Sequence, residues 1–438
     1  MLLNELKNKR ILILGFGREG RDTFLFLRRH FPEKSLGIAD KKEFDELPIQ
    51  IQKMLNEDRR VVLYFGPDYA KQVNKYDVVI KSPGIPLSAL KPHLRKQQIL
   101  TSQTNIFFAN CPGQIIGITG TKGKSTTASM IYHVLKHGGV KTQLVGNIEQ
   151  PALQFLDEAT KDDVFVYELS SFQLETATQS PHIALFLNLY PEHLDHHGTF
   201  KAYAAAKANI TKFQTPDDYL IFSETDEQVH RIASTSKAKL IPFIPKREKG
   251  ALYAAPIQPA LLVAELFGIP KEKARKALKR FKPLPHRLQR VGTYRGIIFY
   301  NDSLATIPEA TAAALDILGN KVATLIVGGY DRGVPFGTLA SRIFKSKVRN
   351  LILLPATGEL VLNELKALHA KQRGRRLPNH FRAKTLAEAV ELCYKHTPRG
   401  LVCLLSPAAS SFNMFRDYKE RGDEFKKLVI RYGKKARA

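Results

Sequence analysis

The chain has no tryptophan, only three cysteines and only four methionines in 438 residues. Cys111, Cys393 and Cys403 are too few and too scattered for a disulfide framework or a thiolate zinc cluster, which excludes a disulfide-stapled scaffold and makes a reducing compartment, the cytoplasm, the expectation. Long apolar runs are also missing. The first, Ile11 to Leu14, follows Glu5, Lys7, Lys9 and Arg10 and is too short for the core of a secretion signal. No stretch approaches the ~18 to 20 apolar residues that cross a bilayer, so membrane insertion is not expected. Acidic residues are scarce relative to basic ones. Lysine and arginine total 67 against 41 aspartates and glutamates, a formal charge of +26, which favours anionic partners such as nucleic acid, anionic lipid or phosphorylated metabolites.

What is present is alternation. Short apolar runs (Ile11 to Leu14, Val61 to Phe65, Val78 to Ile80, Ile115 to Ile118, Val164 to Tyr167, Ala184 to Leu189) are separated by longer amphipathic stretches, which predicts an α/β fold built on parallel sheets. A chain of this length supports about three domains. One break is expected near Ser102 to Pro112, before a new glycine-rich turn. A second is expected around Phe281 to His286, where Pro283 and Pro285 follow a basic amphipathic helix spanning Lys271 to Lys282.

Two glycine clusters follow predicted strands. Gly15-Phe16-Gly17-Arg18-Glu19-Gly20, with Asp40 some 20 residues on, has the form of a dinucleotide fingerprint: the glycines let backbone approach a pyrophosphate, and Asp40 is placed to accept a ribose hydroxyl. The same pattern also serves as a tight strand-to-helix turn with no ligand. Gly84, after Val78 to Ile80, is either the opposing lip or an ordinary turn. The second cluster, Gly117-Ile118-Thr119-Gly120-Thr121-Lys122-Gly123-Lys124-Ser125-Thr126, opens a helix predicted over Thr127 to His137 and resembles a phosphate-binding P-loop with a shortened spacing. Backbone N–H groups of Gly120 to Lys124 can ring a phosphate, Lys124 can reach the outer phosphates, and Ser125 or Thr126 can hold Mg²⁺.

Glu168 ends the run Val164 to Tyr167, where a carboxylate suits a Mg²⁺ ligand or simply faces water. The segment 188–198 gathers Glu192, His193, Asp195, His196 and His197 after another strand, as a metal site would, although each histidine taken singly reads as a solvated loop residue. Lys207, on the amphipathic stretch Phe200 to Phe213, reads by itself as a surface helix lysine.

Taken together, Thr119 to Thr126, Gly146-Asn147-Ile148, Glu168 to Glu175, Glu192-His193-Leu194-Asp195, Leu284-Pro285-His286-Arg287, Asn301-Asp302-Ser303 and Ser406 to Gly422 resemble the Mur ligase family nearly end to end. Within it they are most similar to the branch that adds glutamate to UDP-N-acetylmuramoyl-L-alanine in peptidoglycan precursor synthesis. The resemblance implies three domains: a Rossmann-like UDP-substrate domain over 1–104, a central P-loop-type ATP-binding domain over 105–283 and a Rossmann-like glutamate-binding domain over 284–438. It implies ATP and Mg²⁺ as cofactors and an acyl-phosphate intermediate. Lys124, Glu168, His193 and Lys207 are the implied catalytic set, with Ser125, Glu168, His193 and Lys207 around Mg²⁺ and the lysine matched by Lys207 carbamylated. ATP is expected at Gly120 to Thr126, Arg287 and Asp302, and the UDP-sugar at Gly15, Gly17, Asp40, Gly84 and Asn147. Glutamate is expected at Thr306, Arg332, Ser411, Phe412 and Tyr418. A monomer is expected.

The sequence departs from that family in two places. Where an adenine-contacting asparagine pair is usual, Ala255-Pro256-Ile257-Gln258-Pro259 offers two prolines, which supply no side-chain hydrogen bond. In the glutamate pocket Leu304 stands where many relatives carry lysine, and Arg332 replaces another lysine; these substitutions keep open a variant that uses L-glutamate. Two readings of other classes compete. A nucleic-acid-dependent ATPase is motivated by the net charge and the basic run Lys371 to Lys384, although such a run is usually a solvated face and no nucleic acid is expected. An NAD-dependent oxidoreductase is motivated by Gly15 to Gly20 with Asp40, and the P-loop-like segment argues against it.

Overall fold

The computed structural model describes the chain except residues 147–149, 246–253, 283–284, 332, 372–375 and 435–438. Its strands form three sheets. The first contains β1 (Ile11–Leu14), β2 (Leu36–Asp40), β3 (Val61–Phe65), β4 (Val78–Lys81) and β5 (Ile99–Thr101), all parallel, in the order β3-β2-β1-β4-β5. The second contains β6 (Gln114–Thr119), β7 (Thr142–Gly146), β8 (Val164–Glu168), β9 (Ile183–Phe186), β10 (Tyr219–Ser223) and β11 (Lys239–Phe243), again parallel, in the order β11-β10-β9-β6-β8-β7. The third contains β12 (Gln289–Tyr294), β13 (Ile297–Asn301), β14 (Val322–Gly329), β15 (Asn350–Ala356), β16 (Asn379–Arg382) and β17 (Val402–Leu405), ordered β12-β13-β17-β14-β15-β16 and parallel except for the β12–β13 hairpin. Strands β1, β8 and β14 are buried at every position, which is why they read in the sequence as continuous apolar runs rather than alternating ones.

The described residues form two compact units, one reaching to Phe281 and the other from Lys282 onward. The first two sheets share the first unit. Residues 103–110, expected to lie in a break, are instead the helix Gln103–Asn110, whose N-cap Ser102 accepts from the Asn105 N–H. Its Ile106 and Phe107 join one apolar core with Phe16 and Phe24 on one side and Phe165 and Tyr167 on the other. The Phe107 ring stands edge-on to Phe165 and Tyr167 at 5.2 and 5.7 Å.

Several element ends differ from the sequence expectation, among them those of one strand and two helices. The strand expected over Ala184 to Leu189 is Ile183–Phe186; past it the Leu187 N–H still donates to the Thr119 carbonyl at 3.0 Å, and by Leu189 the N–H goes to the Asp226 carboxylate at 2.8 Å. The helix expected over Thr127 to His137 is Lys124–Gly138; Gly123, at φ +86°, turns the chain into it one residue before the lysine. The basic helix ends at Lys279 rather than Lys282, where the Arg280 N–H bends back to the Ala277 and Leu278 carbonyls. Among the described residues no helix is long and apolar enough to cross a membrane.

Candidate functional site

Strand order positions the first glycine cluster. In the first sheet the chain runs outward from β1 through β2 to β3 and then returns to β4 on β1's other side, so the carboxyl ends of β1 and β4 open a crevice of the kind that receives ligands in parallel sheets. Gly15 to Gly17 leave β1 there, and Ser82 to Gly84 leave β4. A Cβ on Gly20 would lie 2.0 Å from the Gly15 carbonyl oxygen, so the last glycine of the pattern is required for the helix Arg18–His30 to approach its own strand. Ser82 Oγ donates to that same carbonyl at 2.7 Å, tying the two lips together. Asp40 lines the crevice, and its carboxylate accepts from the Phe16 N–H at 2.5 Å and the Lys42 N–H at 3.0 Å. The buried Lys81 ammonium donates to the carbonyls of Ile85 at 2.7 Å and of Ser82 and Pro83 at 3.3 Å, which shapes the turn carrying Gly84.

The second sheet brings three strand ends together. β6 lies between β8 and β9, with Ile118 opposite Glu168 on one side and Thr119 opposite Phe186 on the other. The phosphate loop after β6 therefore sits between Glu168 and the segment after β9. Asn188 locks it: the Lys122 N–H donates to Asn188 Oδ1 at 2.8 Å, and Asn188 Nδ2 donates back to the Lys122 carbonyl at 3.0 Å. The Thr121 hydroxyl is 3.1 Å from the Tyr203 hydroxyl and 3.2 Å from the Tyr190 carbonyl, and Lys122 pairs with Glu192. Lys124 Nζ donates to the carbonyls of Gly120 at 2.9 Å and Thr121 at 3.2 Å. Ser125 and Thr126 occupy the first turn of the helix, where backbone N–H groups lack intrahelical partners and the helix dipole favours an anion.

Lys207 is not a surface residue. Its side chain projects from the helix Phe200–Lys212 into the loop, 1% exposed, and donates to the Gly120 carbonyl at 2.9 Å and to Thr119 Oγ1 at 3.3 Å. Burial, reinforced by the charge of Lys124, holds its amine well below the usual lysine range, against the opposing pull of Glu192 and Glu168. Glu168 is buried, and its Oε2 has no hydrogen-bond partner. An orphaned carboxylate oxygen at the strand end beside the glycine-rich loop has the chemistry that suits a hard divalent cation. His193 adopts a left-handed backbone (φ 55°, ψ 37°) ahead of the turn Leu194–His197.

Both loops open on one cleft of about 630 Å³ within the first unit. Of the expected site residues, Gly15, Gly17, Asp40, Gly84, Lys124, His193 and Lys207 line it. Gly120, Thr121, Lys122, Gly123, Ser125, Thr126 and Glu168 stand at the same strand ends without lining it, and Asn147 lies outside the described residues. Arg18, Lys41, Lys42, Gln173 and Tyr203 line it as well and were missed by the sequence reading. Gln173 had a signal. Ser170 and Gln173 form a reciprocal cap at the start of the helix Ser171–Leu174, and the Gln173 amide then donates to Glu19 Oε1 at 2.8 Å. Burial lifts Glu19 to about 7 despite that bond. Within the segment 188–198, His196 and His197 face Glu175.

Arg287, Asp302, Thr306, Ser411, Phe412 and Tyr418 belong to the second unit, and Arg332 lies outside the described residues. Phe412 is exposed, edge-on to Tyr330 at 6.4 Å. The Tyr418 carbonyl accepts from Ser303 Oγ at 2.8 Å. The fully buried Arg421 donates to the Ser303 carbonyl and hydroxyl and to the Ala409 carbonyl, which holds the loops after β13 and β17 together. In the basic run 371–384, residues 372–375 lie outside the described residues and Arg382 is paired with Glu359 at 2.6 Å.

Asp302 is buried, accepting from the Leu288 N–H at 3.0 Å and from Ser406 Oγ at 2.7 Å, and burial lifts it to about 7. A carboxyl that holds its proton more tightly when folded contributes stability that is complete below about pH 4 and lost as the pH rises to about 7. Asp302→Asn removes this titration. Its stability relative to the parent is expected to rise across that window by up to about 4 kcal/mol, read from thermal melting at each pH. A difference that stays constant from pH 4 to 7 would refute the buried-proton reading.

Two glycine-rich strand-to-helix turns on parallel sheets, opening on one cation-lined cleft, have the form of a nucleotide-binding α/β enzyme. Residues 118–269 match the Mur ligase middle domain. The UDP-N-acetylmuramoylalanine–D-glutamate ligase of Streptococcus pyogenes serotype M5 is 35% identical over 457 residues, covering 97% of this chain and 97% of that protein, and the enzyme of the same name from Acetivibrio thermocellus is 31% identical at the same coverage. A MurF ligase from Thermotoga maritima, solved in complex with ADP, shares the fold with a TM-score of 0.59 over 98% of each chain at 14% identity. The chain belongs to the Mur ligase family, whose members are ATP-dependent amide-bond-forming ligases.

Proposed function

We propose that this protein joins D-glutamate to UDP-N-acetylmuramoyl-L-alanine in peptidoglycan precursor synthesis, at the expense of ATP. The observation that carries this reading is the single cleft with Gly15, Gly17 and Gly84 on one wall and Lys124, His193 and Lys207 on the other. That arrangement lets a UDP group held on the first sheet present its far end to a phosphate held on the second. Full-length similarity to enzymes that bear this name supports it. On this reading the domains run over 1–104, 105–283 and 284–438.

The alanyl carboxylate oxygen attacks the γ-phosphorus of ATP and ADP departs; the glutamate amine then attacks the acyl carbon and inorganic phosphate leaves. Negative charge gathers at the phosphoryl group in the first step and at the acyl oxygen in the second. Lys124 is placed to swing to it from the Gly120 and Thr121 carbonyls, and loop N–H groups other than those of Thr121 and Lys122, which Asn188 takes, can join it. Ser125 and Glu168 would hold Mg²⁺, with His193 and Lys207 beside a second ion. The metal supplies fixed positive charge to the transferring group. Lys207, whose buried amine is held well below the usual lysine range, is suited to add CO₂ as a carbamate with loss of a proton, which turns a cation into a carboxylate-like ligand. Arg287 serves the γ-phosphate, Asp302 the ribose and Asn147 the sugar. Gln258, whose side-chain carbonyl is buried without a partner, offers an acceptor in the region where the sequence shows two prolines. Thr306, Arg332, Ser411, Phe412 and Tyr418 form the glutamate pocket, in a monomeric cytoplasmic enzyme.

Phosphate release with ATP, Mg²⁺ and UDP-N-acetylmuramoyl-L-alanine is expected with D-glutamate and not with L-glutamate or without an amino acid. Release with L-glutamate alone would move the protein to the variant specificity that Leu304 and Arg332 leave open. Silence with both would remove the proposed acceptor.

A further inference from the structure

Three side chains behind the cleft converge on one point. Glu175, at the end of the helix Ser171–Leu174, meets His196 and His197 of the turn Leu194–His197, and one donor atom from each lies within 4.8 Å of the others. His196 Nε2 is 3.6 Å from Glu175 Oε2, and His197 Nδ1 is 3.6 Å from Glu175 Oε1. These gaps are too long for good hydrogen bonds. They are close to the roughly 3.4 Å that separates two donors bound to one tetrahedral ion at about 2.1 Å.

The surroundings match those of a ligand set. His197 turns its other ring nitrogen to Ser171 Oγ at 3.1 Å, an outer contact of the kind that orients a metal-bound imidazole. Phe172 packs against both rings, parallel to His197 at 5.5 Å and tilted to His196 at 4.3 Å, which restricts their rotation. Glu175 Oε2 is buried and has no hydrogen-bond partner. All three residues line a second cavity of about 770 Å³ within the first unit, which provides an entry path and room for water in a fourth position. The nearest opposing charge is Lys81, whose Nζ lies 3.5 Å from Glu175 Oε2. Its ammonium already serves the three carbonyls of the Ser82, Pro83 and Ile85 turn, so a carboxylate lone pair is left for a second cation.

We infer that Glu175, His196 and His197 form a binding site for a divalent transition-metal ion of the zinc class, separate from any Mg²⁺ at Ser125 and Glu168. Two imidazoles and one carboxylate suit Zn²⁺ or Co²⁺, whereas Mg²⁺ prefers oxygen donors and dehydrates reluctantly. An ion there would staple the turn that follows His193 to the end of the helix carrying Gln173.

Cobalt(II) is the probe, titrated into the metal-stripped full-length protein with millimolar Mg²⁺ present and followed by its visible absorption. A single equivalent should bind with the intense bands of low-coordinate cobalt and be displaced by Zn²⁺. His196→Ala and the isosteric Glu175→Gln should each weaken binding at least tenfold, whereas His193→Ala should retain it; thermal melting of each variant checks the fold. The inference fails if cobalt does not bind stoichiometrically, if folded Glu175→Gln binds it as the parent does, or if the signal disappears with His193→Ala.

Discussion

Replacing Lys124 with alanine is expected to lower kcat for ATP-dependent amide formation by about three orders of magnitude, equivalent to roughly 4 kcal/mol of transition-state stabilisation. The ammonium donates to the loop carbonyls of Gly120 and Thr121, positions from which it can swing to a phosphate. The loop's shape depends on other residues: on Asn188, which grips the Lys122 backbone from both sides, and on Gly123, whose left-handed conformation starts the helix. Removing the lysine should therefore leave the fold intact and act on the chemical step, with KM for the UDP substrate changed far less than kcat. Phosphate-release kinetics on a variant with an unchanged melting temperature would measure this. Activity within tenfold of the parent would remove Lys124 from the phosphoryl-transfer step.

The second large effect is expected at Glu168. Glu168→Gln conserves volume and removes one charge, so a merely structural carboxylate would register as a change in stability. Here little destabilisation is expected, because the substitution keeps the volume of the buried side chain and Oε2 has no hydrogen-bond partner to lose. If the oxygen serves Mg²⁺, kcat should fall by at least a hundredfold, and the Mg²⁺ concentration giving half-maximal rate should rise by a similar order. The substitution also removes a negative charge that favours the charged form of Lys207. Any activity that depends on Lys207 as a neutral amine should thus survive this loss better than activity that depends on the metal. An unchanged Mg²⁺ dependence would overturn the ligand role.

Local pattern carried a large part of this protein. The apolar runs at Ile11 to Leu14, Val78 to Ile80 and Val164 to Tyr167 all lie in strands, because a parallel strand covered on both faces needs side chains that are apolar on both. Gly15 to Gly20 and Gly120 to Ser125 stand on strand-to-helix turns, since the glycines, the lysine and the hydroxyl that a phosphate loop needs are contiguous in the chain. Element ends were less legible. Past the end of β9 the Leu189 N–H is captured by Asp226, 37 positions along the chain, a partner no local window shows.

Long-range neighbours decided the rest. Lys207 looked solvated because its helix is amphipathic, but the packing of that helix against β6 and β9 carries its amine to the Gly120 carbonyl, 87 residues away in the chain. Asp40 was legible as a strand-end acid, whereas its engagement with the Phe16 and Lys42 N–H groups follows from β2 lying beside β1. Glu168 reaches the loop after β6, and Glu175 meets His196 and His197, because β8 and β9 flank β6. Residue spacing along one strand, loop and helix specifies which groups a loop offers. Which loops face one another is set by strand order, and strand order is selected by how the buried faces of the whole chain pack, a sum over contacts that no local window contains.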